Sequence, residues 1–121
     1  MKIQLDFSSP ENCIKNIVKE GDDLTTLLYS ASTDAYNAEE ALLMATAKLS
    51  LSVRSNTAVK MTEGMVQAAI DADGDLSLLR LKAAECKARL SAIRADLDNL
   101  HDTRRMFVAW MQGQRAAGLE V

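Results

Sequence analysis

The stretch from Leu76 to Met111 constrains the fold of this chain more than any other feature. Its apolar residues recur at alternating intervals of three and four, and only Arg104 interrupts the series. This spacing is typical of the a and d positions of a heptad repeat, and it predicts one continuous helix. The helix would be roughly 54 Å long at about 1.5 Å per residue. The apolar series consists of Leu76, Leu79, Ala83, Cys86, Leu90, Ile93, Leu97, Leu100, Phe107 and Met111.

A helix of that length does not fit inside one globule of 121 residues, whose diameter would be roughly 35 Å. The composition is rich in alanine and leucine, with few aromatic residues and one proline, which favours a helical bundle or coiled coil. We therefore expect an all-α fold in a single domain, 1–121. The expected form is an elongated helical hairpin or coiled coil with a long C-terminal heptad helix, assembled into a homo-oligomer.

The N-terminal half is predicted to contain an arm and two helices. Residues 1–8 alternate polar and apolar side chains, so they form either a strand paired with another subunit or an extended arm laid on helices. Ser9 and Pro10 start a short helix over 9–20, and Gly21 ends it. A long helix follows over 22–57. Its apolar seam is centred on alanines, which would let a partner helix approach closely.

Two further helices are expected in the C-terminal half. Thr62 caps a short helix over 62–72, and Met61 packs on Val66 as a hydrophobic staple. Asp75 caps the long heptad helix over 75–113, which Gly113 ends. Residues 114–121 are expected to be a frayed tail.

Charge is unevenly distributed along the chain. The net charge is −5 over residues 1–44, +3 over 45–94 and −1 over 95–121. The middle segment is therefore the part that could favour a polyanion. Five cations flank the heptad seam there, and the alternative is that they pair with acidic residues of a neighbouring helix. These cations are Arg80, Lys82, Lys87, Arg89 and Arg94.

No catalytic or metal-binding pattern is present in the sequence. The single histidine, His101, lies beside Asp98 and Asp102, but no nucleophile motif accompanies it, so we expect a surface histidine. Cys13 and Cys86 have no second cysteine or histidine at metal-ligand spacing. We expect neither enzyme activity nor a cofactor or metal.

The expected oligomer interface follows the heptad seam. Arg104 would occupy an a position, where one polar residue commonly fixes register or oligomer state. The predicted interface residues are Leu79, Leu90, Ile93, Leu97, Leu100, Arg104, Phe107 and Met111.

One region of the chain is similar to a known family. The similarity is carried by Arg54, by the run from Lys60 to Asp71, and by a long helix that ends with Arg104-Arg105-Met106-Phe107. These features resemble the UvsY-like recombination mediator proteins of tailed phages. Those proteins have a basic helix end, a short helix started by threonine and glutamate, and then a long heptad helix. The resemblance covers about residues 40–111. It implies ring-like homo-oligomers that bind single-stranded DNA and help to load a recombinase.

By this resemblance, Lys48, Arg54 and Lys60 would face DNA, and a recombinase and a single-strand-binding protein would be partners. The first functional hypothesis is a recombination accessory protein that binds single strands through their phosphates. The alternative is a coiled-coil interaction module: a scaffold, adaptor or inhibitor. No signal peptide or membrane-spanning run is evident, so we expect a cytoplasmic protein that does not bind membranes, in the host cytoplasm if phage-encoded.

Overall fold

The computed structural model describes residues 9–55 and 60–118. These residues form three α-helices and no strand: α1 (Pro10–Ser55), α2 (Glu63–Ala72) and α3 (Gly74–Ala116). The all-α prediction is thereby confirmed, with a long first and a long third helix. Coiled-coil pairing and assembly into an oligomer stay predictions. The predicted arm, residues 1–8, lies outside the described residues.

Helix α1 is continuous, and the predicted break at Gly21 is wrong. The predicted helices 9–20 and 22–57 form one element, whose last described residue is Ser55. Glycine inside a helix costs only about 1 kcal/mol, and the flanking residues Ile17 and Leu24 are both buried in the same core. A Cβ at Gly21 would lie 3.5 Å from Cδ2 of Leu100. Packing on both sides of the glycine therefore outweighs its low helix propensity.

Hydroxyl side chains in α1 bond back to the helix itself. The Oγ1 of Thr25 donates to the Gly21 carbonyl at 2.7 Å, and that of Thr46 donates to the Leu42 carbonyl at 2.7 Å. Serine and threonine lower helix propensity because their hydroxyls compete for backbone groups. Here the competing bond is made one turn back along the same helix, so these residues do not interrupt α1.

The start of α2 matches the prediction, whereas the start of α3 does not. The backbone N–H of Met65 donates to Oγ1 of Thr62 at 3.2 Å, so Thr62 is the predicted cap of α2. The cap of α3 is Asp73, whose Oδ1 accepts from the N–H of Leu76 at 2.9 Å. The predicted cap, Asp75, lies inside the first turn of α3. One residue separates the two helices, so α3 starts earlier than the turn signal indicated.

Helix α3 also ends later than predicted. Gly113 lies inside the helix, which continues to Ala116, so three residues of the predicted tail 114–121 are helical. Gly118 has φ of +77°, and its N–H donates to the Arg115 carbonyl at 3.0 Å. A left-handed glycine of this kind commonly closes a helix. Residues 119–121 lie outside the described part of the chain.

The chain divides into two compact units. Unit 1 consists of the described residues of Met1–Ser30 and Ser91–Val121, and unit 2 is Ala31–Leu90. In unit 1, α1 packs on α3 around Cys13, Ile17, Leu24, Leu100 and Phe107, with Leu97, Trp110 and Met111 against them. The rings of Phe107 and Trp110 stack with centroids 5.9 Å apart.

Unit 2 contains all of α2 together with parts of the two long helices. Its core is built on Val66, Ile70 and Leu76. Side chains of α1 and α3, together with Met61 just before α2, pack around that core: Leu42, Ala45, Leu49, Val53, Met61, Leu79. Met61 and Val66 share this core, as the predicted staple requires. Elsewhere in unit 2 the buried side chains are alanines: Ala31, Ala35 and Ala38 of the predicted alanine seam in α1, and Ala83 of the heptad series in α3.

Candidate functional site

Arg54, the central cation of the predicted DNA surface, is bound to a carboxylate of its own chain. Its Nη1 lies 2.8 Å from Oε1 of Glu63, and its Nη2 lies 2.9 Å from Oε2 of the same residue. The hydrogen bonds and then the charge of Glu63 raise the pKa of Arg54, and Arg54 lowers the pKa of Glu63 in the same way. A DNA phosphate would have to displace Glu63 from this bidentate ion pair.

Lys48 and Lys60 are both exposed in unit 2. Neither has an ion pair within the part of the chain that the structure describes. Lys48 lines a shallow groove together with Asp73 and Asp75, whose carboxylates would repel a phosphate placed there. The three predicted DNA cations therefore differ: two are available to a ligand, and Arg54 is engaged.

Most of the cations that flank the seam in unit 2 are also paired. Arg89 binds Asp34 at 3.2 Å and Lys87 binds Glu39, so α3 is linked to α1 by two ion pairs. Arg80 lies 3.8 Å from Asp71 of α2. These contacts agree with the prediction of pairing to a neighbouring helix, and they lower the positive field that a polyanion would meet.

The predicted interface residues lie largely inside the cores of a single chain. Leu100 and Phe107 are buried in the core of unit 1, and Leu97 and Met111 pack against them. Leu79 packs against the core of unit 2. Ile93 is buried and Leu90 is half-buried. The seam is thus covered by helices of the same chain, and its role as an interface between copies stays a prediction.

Arg104 is the exception in this series because it is exposed. On the unit 1 part of α3 the buried residues are the d positions Ile93, Leu100 and Phe107, whereas Leu76 and Ala83, earlier in the helix, are a positions. A straight α-helix drifts by about 20° per heptad relative to a strict heptad repeat. The a position at 104 is therefore turned away from the core.

His101 lies in an open groove on α3 of about 650 Å³. Its polar neighbours there include Asp98, Asp102 and Arg104, and Asp102 is bound to Arg105. The groove contains no serine, threonine, cysteine or lysine that could act as a nucleophile. The described residues also contain no group of three or more histidine, cysteine, aspartate or glutamate side chains able to hold a metal.

An exposed apolar surface on α1 in unit 2 was not predicted. On α1, Tyr36, Leu43, Met44 and Leu51 are each between 57 and 68 % exposed. With Glu40 and Ala47 they form a stripe on the side of the helix opposite the seam, and we call these six residues the outer face. A signal was available, since apolar residues recur at 36, 43, 47 and 51, at intervals of seven and four. The stronger alanine and leucine seam hid this second series.

Comparison with protein-family models, with curated proteins and with solved structures finds no match for this chain. The resemblance to the phage recombination mediators therefore stays a prediction. Within the described residues, no helix is long and apolar enough to cross a membrane.

Proposed function

We propose that this chain is a protein-interaction module that pairs the outer face of α1 with a helix of another polypeptide. The observation that carries this proposal is the exposure of Tyr36, Leu43, Met44 and Leu51 on one side of α1. The opposite side already packs in the core of unit 2 through Leu42, Ala45 and Leu49. A helix with one apolar side buried and a second one exposed has a surface suited to another helix.

The charges of unit 2 support the same proposal. Arg54, Arg80, Lys87 and Arg89 each face a carboxylate of the chain itself. Exposed ion pairs of this kind contribute little to stability, but they leave fewer cations for a polyanion. Recognition by apolar contacts therefore has more support in this unit than recognition by charge.

A photoreactive amino acid placed on the outer face tests this function in cells that produce the protein. Benzoylphenylalanine at Tyr36 should give a covalent adduct with a polypeptide, either another protein or a second copy. The same group at Leu78, which is 67 % exposed on α3, is the matched control and should give a much weaker adduct. Equal adducts at both positions, or none at Tyr36, would contradict the proposal.

Single-strand binding in DNA recombination is the second candidate function. It is favoured by the exposure of Lys48 and Lys60 without ion-pair partners in the described chain, and by the helix order that the mediator resemblance implies. Binding would be electrostatic, and each phosphate neutralised would add about −0.7 to the slope of log K against log salt. A recombinase and a single-strand-binding protein would then be partners.

Fluorescence anisotropy with a labelled oligonucleotide separates the two candidates. For the DNA function, replacing Lys48 and Lys60 together by alanine should flatten the salt slope by about 0.7 for each lysine. Lys87→Ala is the matched control, because it removes a cation that is already bound to Glu39. A parent protein with no salt-dependent binding would remove the DNA function and leave the interaction module.

A further inference from the structure

The outer face of α1 has a pattern that is symmetrical about its centre. Leu43 and Met44 lie in the middle, with Tyr36 at one end and Leu51 at the other. Between the centre and the ends lie one acidic residue, Glu40, on the N-terminal side and one basic residue, Lys48, on the C-terminal side. The order of apolar residues along α1 is therefore almost the same on both sides of Leu43 and Met44. The charged residue on the N-terminal side is negative, and the one on the C-terminal side is positive.

Helical geometry places these residues on one surface. At about 100° per residue, the six residues of the outer face fall within a stripe roughly 100° wide, and Lys48 borders it. Residues spaced by four lie above one another on a helix, so Glu40, Met44 and Lys48 form one row along the face. The half-buried residues Leu42, Ala45 and Leu49 project from the other side.

Glu40 on the outer face and Lys48 at its border have no ion pair within the described chain. Glu39, the neighbour of Glu40, is bound to Lys87, whereas Glu40 and Lys48 have no ion pair among the described residues. Glu40 and Lys48 are eight residues apart, which is about 12 Å along the helix axis. That separation is too large for an ion pair between these two residues within α1, so a second molecule can supply the opposite charge that each of them lacks.

We propose that the outer face of α1 binds the same face of a second copy of this chain, with the two helices antiparallel. The two-fold axis passes close to Leu43 and Met44. Tyr36 then lies opposite the partner's Leu51, and Glu40 lies opposite the partner's Ala47, about 1.5 Å along the axis from the partner's Lys48. The symmetry produces every contact twice, as a closed two-fold interface requires. This inference rests on the proposed interaction function and names its partner and its geometry.

The charge pattern favours the antiparallel arrangement over the parallel one. Two parallel copies in the same register would place Glu40 against Glu40 and Lys48 against Lys48, and like charges across an interface oppose association. The interface is also small, because four turns of one helix bury less than the roughly 800 Å² per partner of a standard interface. We therefore expect a concentration-dependent dimer with a dissociation constant in roughly the micromolar range.

A charge exchange tests the ion pairs of this dimer. Glu40→Lys alone and Lys48→Glu alone each create like charges across the two-fold axis, so each should weaken the dimer by about tenfold in sedimentation equilibrium. The double variant Glu40→Lys/Lys48→Glu exchanges the two signs and should restore the parent affinity. Leu78→Glu is the matched control for an added charge at an exposed apolar residue and should leave the dimer intact. Circular dichroism should show unchanged helix content in each variant.

Cysteine scanning tests the antiparallel geometry. Met44→Cys lies at the two-fold axis and should form an intermolecular disulfide under mild oxidation. In the antiparallel dimer the two copies of residue 36, and of residue 51, are roughly 20 Å apart. Their Cα atoms are then much farther apart than the about 7 Å that a disulfide spans. Tyr36→Cys and Leu51→Cys should therefore not cross-link, whereas a parallel dimer would link all three positions.

Three outcomes would overturn this inference. The first is a parent protein that remains monomeric at all concentrations. The second is a dimer that neither single charge variant weakens. The third is a dimer in which Leu51→Cys forms an intermolecular disulfide. If the purified protein is monomeric but benzoylphenylalanine at Tyr36 still captures a different polypeptide in cells, self-pairing is overturned and the interaction function stands. If neither association nor an adduct occurs, both are overturned.

Discussion

Arg54, in the last turn of α1, binds Glu63, the first residue of α2, through two parallel contacts of 2.8 and 2.9 Å. A bidentate ion pair between a guanidinium and a carboxylate fixes the orientation of both groups. The pair therefore links the start of α2 to the end of α1. In the mediator resemblance Arg54 was assigned to DNA, but in this structure it contacts its own chain.

The pair predicts a pH dependence of stability. The hydrogen bonds and charge of Arg54 hold the pKa of Glu63 below its ordinary value of 4.5. The stabilising contribution of Glu63 is therefore present above about pH 4.5 and is lost as the pH falls through the lowered pKa of the folded state. The parent should melt at a higher temperature than Glu63→Gln at about pH 7, and the difference should shrink progressively as the pH falls below about 4.5.

Glu85→Gln serves as the control for this measurement. Glu85 is an exposed carboxylate of unit 2 without an ion pair in the described chain. Its replacement should leave the melting temperature almost unchanged at both pH values. A difference between the parent and Glu63→Gln that persisted at low pH would show that the ion pair is not its source.

Gly21→Ala should stabilise the protein. The new Cβ would lie 3.5 Å from Cδ2 of Leu100, which is ordinary van der Waals contact, and alanine has the higher helix propensity. We expect a gain of about 0.5–1 kcal/mol in the free energy of unfolding. Gly21→Leu should instead cost about 1–3 kcal/mol through overpacking. Urea denaturation measures the free energy of unfolding of both variants. A lower free energy of unfolding for Gly21→Ala than for the parent would contradict the observed contact.

Asp73→Ala should destabilise the protein more than Asp75→Ala. Asp73 accepts the N–H of Leu76, so its loss leaves a donor at the start of α3 without a side-chain acceptor. Loss of such a cap costs about 1 kcal/mol. Asp75 lies inside the first turn and contributes only its favourable interaction with the helix dipole. Chemical denaturation of both variants measures this, and equal losses would disagree with the observed cap.

Glu20→Met should be neutral or stabilising. Glu20 is half-buried in unit 1, and its Oε1 is shielded from solvent without a hydrogen-bond partner among the described residues. A buried polar atom without a partner carries a desolvation cost of about 1–3 kcal/mol. Methionine has a similar length and no such group. Thermal denaturation compares the parent with this variant, and a clear loss of stability would reveal a contribution from the carboxylate.

Local signals predicted the parts of the fold that depend on local chemistry. The period of apolar residues identified α3, and Thr62 identified the start of α2, because both patterns follow directly from helix geometry. The predictions that helices end at Gly21 and at Gly113 were wrong. Each prediction was based on the low helix propensity of glycine, whereas α1 continues through Gly21 and α3 continues through Gly113. At Gly21 the deciding factor is packing against Leu100, which no local window of sequence contains.

The candidate sites were harder to predict. The family resemblance gave Arg54 and Lys48 the same predicted role, but their difference depends on which carboxylate each one contacts after folding. Glu63 reaches Arg54 only because α2 begins beside the end of α1. The exposure of Arg104 likewise follows from the rotation of α3 relative to the core, which a strict heptad description omits.

The ion pairs Lys87–Glu39 and Arg89–Asp34 have a consequence for how unit 2 folds. The seam between these parts of α1 and α3 is rich in alanine, and alanines can replace one another in contact with little change in packing. If α3 met α1 seven residues farther along, Lys87 would face Thr46 and Arg89 would face Ala41. Both ion pairs would be lost while the apolar contacts persisted. Two contacts that add little to stability can therefore still distinguish the native alignment from a misaligned one.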